Sequence, residues 1–168
     1  MRYIALMAII FLSGFSAFSK NAADFSCPRT GLLDNTSTLT LLAPGSAKDV
    51  VAVAAIKGFS GDCSLSKDKK TIEISLKLPF LIEKGAAGAN LKDEELPYFI
   101  AVLSPVEEIL QRQAFMTKIS FDNSGTGSAI EEHVIRVPLK PQTEGHQYNV
   151  VIGFALTRDQ LKYNEEHK

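Results

Sequence analysis

The sequence predicts an all-β domain, a single immunoglobulin- or fibronectin-like antiparallel β-sandwich of about seven strands with a short C-terminal helix. Three observations carry this expectation. Runs of Val, Ile, Leu and Phe are broken at short intervals by Gly, Pro, Asn and Asp, the punctuation of antiparallel strands joined by tight turns. Thr71 to Leu78 alternates strictly, with Ile72, Ile74, Leu76 and Leu78 set against Thr71, Glu73, Ser75 and Lys77. Successive side chains of a strand point to opposite faces, so one face meets a core and the other water. No internal repeat or low-complexity tract interrupts the pattern. The chain has no Trp, so the core Trp of antibody domains is missing and the expectation concerns fold class, with a small barrel as the alternative.

Along the chain, Ser37 to Leu42 reads as an early strand. Val50 to Phe59 alternates Val and Ala before Ile56 and is followed by Gly58 and Gly61, with no cap before it, which favours strand over helix. Ser60-Gly61-Asp62 and Gly85-Ala86-Ala87-Gly88-Ala89 resemble Gly-rich phosphate loops, but neither has the Gly-Lys-Ser/Thr ending or opens an apolar-periodic helix. The second reads as a flexible loop from Lys84 to Lys92. Pro97 limits the start of a buried strand, Tyr98 to Leu103, which ends at Ser104-Pro105.

Ser104 to Phe121 reads two ways. Ser104, Pro105 and Glu107 imitate an N-cap, a first-turn proline and a capping-box glutamate, giving a helix of two to three turns across residues 105–114. Phe115, Thr117, Ile119 and Phe121 instead alternate with Met116, Lys118 and Ser120, which favours a hairpin turn at Pro105 to Glu108 followed by one long strand. Asn123 to Gly127 is a loop by composition, and Ile130 to Leu139 is a strand that Pro138 closes or bends. Tyr148 to Leu156 carries Tyr148, Val150, Ile152, Phe154 and Leu156 on one face and small apolar Val151, Gly153 and Ala155 on the other, as a central strand does. Thr157 and Gln160 form a capping box for a last helical turn, Thr157 to Asn164.

Residues 1–19 read as a signal peptide for export. Arg2 supplies the positive start, Tyr3 to Leu12 an apolar core of about ten residues, and Ala17-Phe18-Ser19 the small residues at a cleavage site placed after Ser19. The apolar core is short of the roughly 20 residues that span a bilayer. Cleavage leaves residues 20–168, about 149, enough for one core and one domain. The chain has 18 basic and 19 acidic residues; losing Arg2 leaves the mature domain near neutral, without the basic surplus that nucleic acid binding requires.

Two cysteines, Cys27 and Cys63, are present in the whole chain. In an oxidising compartment the expected outcome is a structural disulfide, since the pair lacks Cys-x-x-Cys spacing. A lipid anchor on Cys27 is disfavoured because Asp24-Phe25-Ser26 precedes it where a Leu-like residue and small neutral ones are needed. His133, His146 and His167 show no ligand spacing, so no metal and no cofactor are expected. One mature Met, Met116, and three scattered histidines likewise argue against a copper carrier or copper-zinc dismutase.

No catalytic residue is assigned. Glu94-Glu95, Glu107-Glu108, Glu131-Glu132 and Glu165-Glu166 are adjacent carboxylates, which diverge on either a strand or a helix and read as solvated charges. His133 acts as a base only if another strand brings a Ser or carboxylate to it. Asn35-Thr36-Ser37 is a formal glycosylation sequon.

Cys27-Pro28 with Gly31-Leu32-Leu33, Asp49-Val50-Val51, Gly61-Asp62-Cys63, Pro97 to Leu103, Val137-Pro138-Leu139, Tyr148 with Val150, and Gly153 to Thr157 followed by Leu161 and Tyr163-Asn164 together resemble a family of uncharacterised exported bacterial proteins. The resemblance implies a periplasmic or secreted envelope protein with a sandwich fold, some members being lipoproteins, and no biochemical activity. The function expected is therefore a non-enzymatic cell-envelope module that contacts an unknown envelope protein, through an exposed sheet edge that accepts a partner strand; peripheral membrane association is not predicted. The alternative is a small-ligand or carbohydrate-binding module whose cleft would draw on Tyr98, Phe99, Tyr148 and Phe154, although core packing explains these rings better, and its ligand-binding residues are unknown. A hydrolase built on His133 is the third reading.

Overall fold

The computed structural model describes residues 25–46 and 48–167, so the segment read as a signal peptide lies outside the described residues. Among the described residues, nine strands form two packed sheets. The first sheet runs in the order β1 (Arg29–Leu32), β9 (Asn149–Phe154), β6 (Asp93–Leu103) and β7 (Ile109–Ser120). The second is built on β5 (Thr71–Lys84), with β8 (Thr126–Pro138) along one edge. On the other edge β3 (Val50–Ile56) and β4 (Ser60–Leu65) pair in succession, and β2 (Thr38–Leu42) lies outside β3. One helix, α1 (Arg158–Glu166), follows β9.

The sandwich class holds, while several details differ from the sequence reading. Nine strands replace about seven, because β1 and β4 have no alternation to betray them. β4 contains Ser60, Gly61 and Asp62, so this Gly-rich stretch is a strand and not a loop. A Cβ at Gly61 would collide with the carbonyl of Ser75 on β5, and this close approach is what the glycine permits. β1 runs parallel to β9, so the fold is not wholly antiparallel. The segment Lys84 to Lys92 carries a 3-10 turn, Ala86–Gly88, with Gly88 buried against the backbone of Val51, rather than a flexible loop.

Two strands run through a proline beyond the bounds read from the sequence. β5 continues six residues past Leu78 through Pro79, whose carbonyl accepts from Lys57 N at 2.9 Å. Backbone N and O of one strand residue face the same edge, and at Pro79 that edge is the gap between β3 and β4, so no N–H is required. β6 likewise starts at Asp93, ahead of Pro97. The Pro97 carbonyl accepts from Ala155 N at 2.9 Å, just beyond the end of β9, where the missing donor falls outside the ladder. β8 also starts four residues before Ile130, at Thr126, and absorbs the end of the loop expected at Asn123 to Gly127.

Three further expectations of secondary structure hold. Residues 105–114 are a turn and a strand, as the alternation of Phe115 to Phe121 favours. β9 lies between β1 and β6 as a central strand. Thr157 Oγ1 accepts from Gln160 N and Gln160 Oε1 accepts from Thr157 N, closing the capping box of α1.

The core is the inward alternation of both sheets. Ile72, Ile74, Leu76, Leu78, Phe80 and Ile82 of β5 face Leu96, Tyr98, Ile100 and Val102 of β6 and Val150, Ile152 and Phe154 of β9, all buried. Each such side chain contributes about 1.5–3 kcal/mol by leaving water. Phe80 anchors the centre, with ring centroids 4.8 Å from Tyr98 and 5.9 Å from Phe154. Cys27, just before β1, is bonded to Cys63 of β4 with Cα atoms 6.1 Å apart, so the disulfide ties one sheet to the other. A loop of 36 residues closed in this way stabilises by roughly 3–4 kcal/mol through the unfolded state. Such bonds form and persist in oxidising compartments.

Candidate functional site

β7 and β8 are edge strands of different sheets, joined by the short segment 121–125, and they lie along the same side of the sandwich. Their inward side chains meet across a seam. Alternation that is apolar elsewhere turns polar here: Thr117 Oγ1 of β7 donates to Glu131 Oε1 of β8 at 2.6 Å. One rung further, the Phe115 ring lies 4.2 Å from the ring of His133. Tyr98 Oη, reaching from β6, is 2.8 Å from His133 Nε2 and the Tyr98 ring stacks on Phe115 at 5.3 Å.

The electrostatics follow from this packing. Burial pushes the Tyr98 phenol well above its ordinary range, and the nearby Glu131 carboxylate adds to the effect. Burial also lowers the His133 pKa, partly offset by Glu131. Burial thus favours the neutral imidazole of His133, whose Nε2 lies within hydrogen-bond distance of the Tyr98 hydroxyl. Nucleophilic catalysis needs an activated hydroxyl or thiol beside such a base. The hydroxyl that meets His133 belongs to a phenol held protonated, and the hydroxyl of Thr117 is turned to Glu131. The seam instead places polar side chains on the inner face of two edge strands, which discourages another strand from docking there by making its burial costly.

A second grouping escaped the sequence reading because its members are 120 residues apart. Ser26 Oγ lies 3.0 Å and Glu144 Oε2 3.1 Å from Nδ1 of His146. A hydrolytic triad uses the two ring nitrogens separately, one for the nucleophile and one for the orienting acid; here both partners share Nδ1. Ser26 Oγ also accepts from His146 N at 3.1 Å, and Arg29 Nε donates to His146 O at 2.8 Å. These bonds anchor the segment before β1 to the turn before β9.

The adjacent carboxylates diverge. Glu131 points into the seam while Glu132 points out to Lys77 Nζ at 2.7 Å, and Glu94 is half-buried where Glu95 is exposed. Among the described residues no three His, Cys, Asp or Glu side chains converge on a metal position. Tyr98, Tyr148 and Phe154 are core residues. Phe99 differs: it lies on the outer face of its sheet, covered by the Arg112 guanidinium 4.7 Å above its ring, so none of the four lines a cleft.

The most exposed large apolar side chains are Val106, Ile130 and Ile109, with Met116 and Val134 next, and Val106 and Ile109 share the β6–β7 hairpin tip. Ser104 is fully buried and its Oγ accepts from Val106 N and Glu108 N at 3.3 and 3.1 Å. Its backbone N donates to Glu108 O and its carbonyl accepts from Glu107 N. The turn is thus fixed from inside by one residue, with Glu107 left in the left-handed region at φ 63°. It holds Val106 and Ile109 outward, 70% and 64% exposed, with Leu110 beside them. The signal in the sequence was the run Val106-Glu-Glu-Ile-Leu, whose apolar residues fit neither face of a continuing strand.

No family model matches the chain, and no curated protein matches it. Among solved structures, the variable (V) domain of the AgI/II polypeptide BspA of Streptococcus agalactiae aligns over 76% of this chain and 78% of its own, at 11% identity and a TM-score of 0.22. That score is too low to equate the two folds.

Proposed function

We propose that the chain is a non-enzymatic, exported module of the bacterial cell envelope that works by protein–protein contact through the β6–β7 hairpin tip. The observation that carries this reading is the rigid display of Val106 and Ile109 at 70% and 64% exposure on a turn pinned by buried Ser104. Exposed branched side chains add nothing to the stability of the isolated domain, and a turn already fixed loses little entropy on docking. Glu107 and Glu108 between them select a partner whose apolar cleft has a basic rim. The inward polar seam turns the reading away from strand addition at β7 or β8, and towards the tip. The disulfide supports residence in the periplasm or outside the cell, after removal of residues 1–19.

The test is capture of crosslinked envelope proteins on the full chain bearing a C-terminal tag. A partner captured by the wild type and lost with Val106→Ser/Ile109→Ser, but kept with Ile130→Ser on β8, supports the reading. Capture indifferent to the tip overturns it. A mature N-terminus at Lys20, read by mass spectrometry of the same preparation, tests the export step.

A further inference from the structure

β4 is an edge that the fold leaves unguarded. It pairs with β5 along Ser60–Leu65, and among the described residues no strand lies on its other side, although β2 fills the equivalent place outside β3. Residues of an antiparallel pair alternate between bonded and non-bonded positions. Ser66 N donates to Thr71 O at 2.8 Å, which puts Ser64 in a bonded pair with β5 and turns the N–H and C=O of Cys63 and Leu65 away from it. Among the described residues nothing hydrogen-bonds to those outward groups, and Cys27 reaches Cys63 through sulfur. Edge strands are ordinarily protected by Lys, Pro or a bulge. The ladders of β2 and β7 each carry a register shift, and β8 turns Glu131 and His133 into the polar seam. β4 has no Lys, no Pro and an unbroken register.

We propose that β4 accepts an extended segment of a partner polypeptide, with an apolar side chain turned inward and a basic one outward. Outward donor and acceptor groups two residues apart match the repeat of a chain in β conformation. Beside them lies a gap of about 220 Å³ between the sheets, lined by the disulfide, Thr30 of β1, Phe59, Ile74 and Leu76. Gly61 contributes no side chain to fill it, and Phe59 is left 41% exposed. A strand laid along β4 sends alternate side chains towards this gap, and its apolar lining selects an apolar one. On the outer face Asp62 is exposed and enters no ion pair among the described residues, which favours Lys or Arg opposite it on the incoming strand. β4 is on the far side of the sandwich from the β7–β8 seam, so this docking is independent of the hairpin tip.

The probe is a displayed library of random peptides of about ten residues, selected on the immobilised full chain with its disulfide intact; selected peptides are then titrated by amide NMR. They are expected to alternate apolar and polar residues, to carry Lys or Arg among the polar ones, and to shift the amides of Cys63 and Leu65 saturably. N-methylation at alternate peptide residues is expected to weaken binding about tenfold or more when it falls on the pairing edge and little when it falls on the other. Phe59→Ala and Asp62→Lys are each expected to weaken binding about fivefold or more. Should Phe59→Ala disturb the fold, Asp62→Lys, a change at an exposed side chain, carries the test. Val106→Ser/Ile109→Ser is expected to leave peptide binding unchanged, so the loss of envelope capture at the tip and the loss of peptide at β4 are read separately. No selected peptide, shifts that map away from β4, equal affinity for the two N-methylation patterns, or peptide binding lost with the tip variant overturns the proposal.

Discussion

Tyr98 Oη meets His133 Nε2 at 2.8 Å across the seam between the two sheets. This partly buried contact makes stability depend on acid, since protonating His133 places a charge in the seam. Burial holds the folded pKa of His133 below its ordinary 6.5, so the unfolded chain takes up the proton first. The stabilisation is complete above about pH 6.5 and falls as pH drops from there through the folded value. Tm measured from pH 7.5 to 5 is expected to decline more steeply for the wild type than for His133→Gln, which keeps a hydrogen-bonding group without titrating. Parallel curves would count against it.

Tyr98→Phe leaves His133 without its phenol while keeping the ring that packs on Phe80 and Phe115. A net loss of about 1–2 kcal/mol is expected in urea denaturation, with unchanged m-value. A loss near zero would mean water replaces the phenol fully.

Much of the sandwich was legible from residue pattern, and the reason is burial on one face. Ile72 to Leu78 and Tyr148 to Phe154 alternate because each strand has a dry side, and the turn at Pro105 follows once Phe115 to Phe121 is seen to alternate. β4 was not legible: Ser60-Gly61-Asp62-Cys63 pairs with β5 through backbone groups that any residue supplies. The seam and the Ser26–His146 contact were not legible either, since Tyr98 and His133 come together only after two sheets have packed. Helix α1 gave one trace in the sequence, the capping box, which locates the helix and says nothing of what it faces.

Breaking the Cys27–Cys63 bond, by reduction or by replacing both with Ser, is expected to cost about 3–4 kcal/mol. At roughly 2–4 °C per kcal/mol for a domain of this size, Tm falls by about 6–16 °C. Calorimetry with and without reductant measures it. A shift of a degree or less would show that the two sheets need no covalent tie.

Glu107→Gly relieves the left-handed strain of a residue with a Cβ at φ 63°. Left-handed geometry costs a non-glycine residue about 1–2 kcal/mol, and glycine's own unfolded-state entropy returns part of it. A gain of about 0.5–1 kcal/mol is expected by chemical denaturation, together with weaker capture of the envelope partner if the carboxylate is read by it.

Asn164→Ala removes both hydrogen bonds that hold α1 to the chain. Limited proteolysis is expected to cut residues 158–166 at least tenfold faster while the sandwich resists digestion. An equal rate for the two proteins would assign the helix another anchor.

β1 is paired with β9, and Arg29 lies beside Asn149 in that register. The first of the described strands therefore waits for the last of them. A chain emerging from the ribosome cannot complete this sheet until β9 has emerged, and contacts so distant along the sequence form slowly. The register of β1 is set only when residues 149–152 are there to pair with it, whereas the sheet built on β5 needs neither strand.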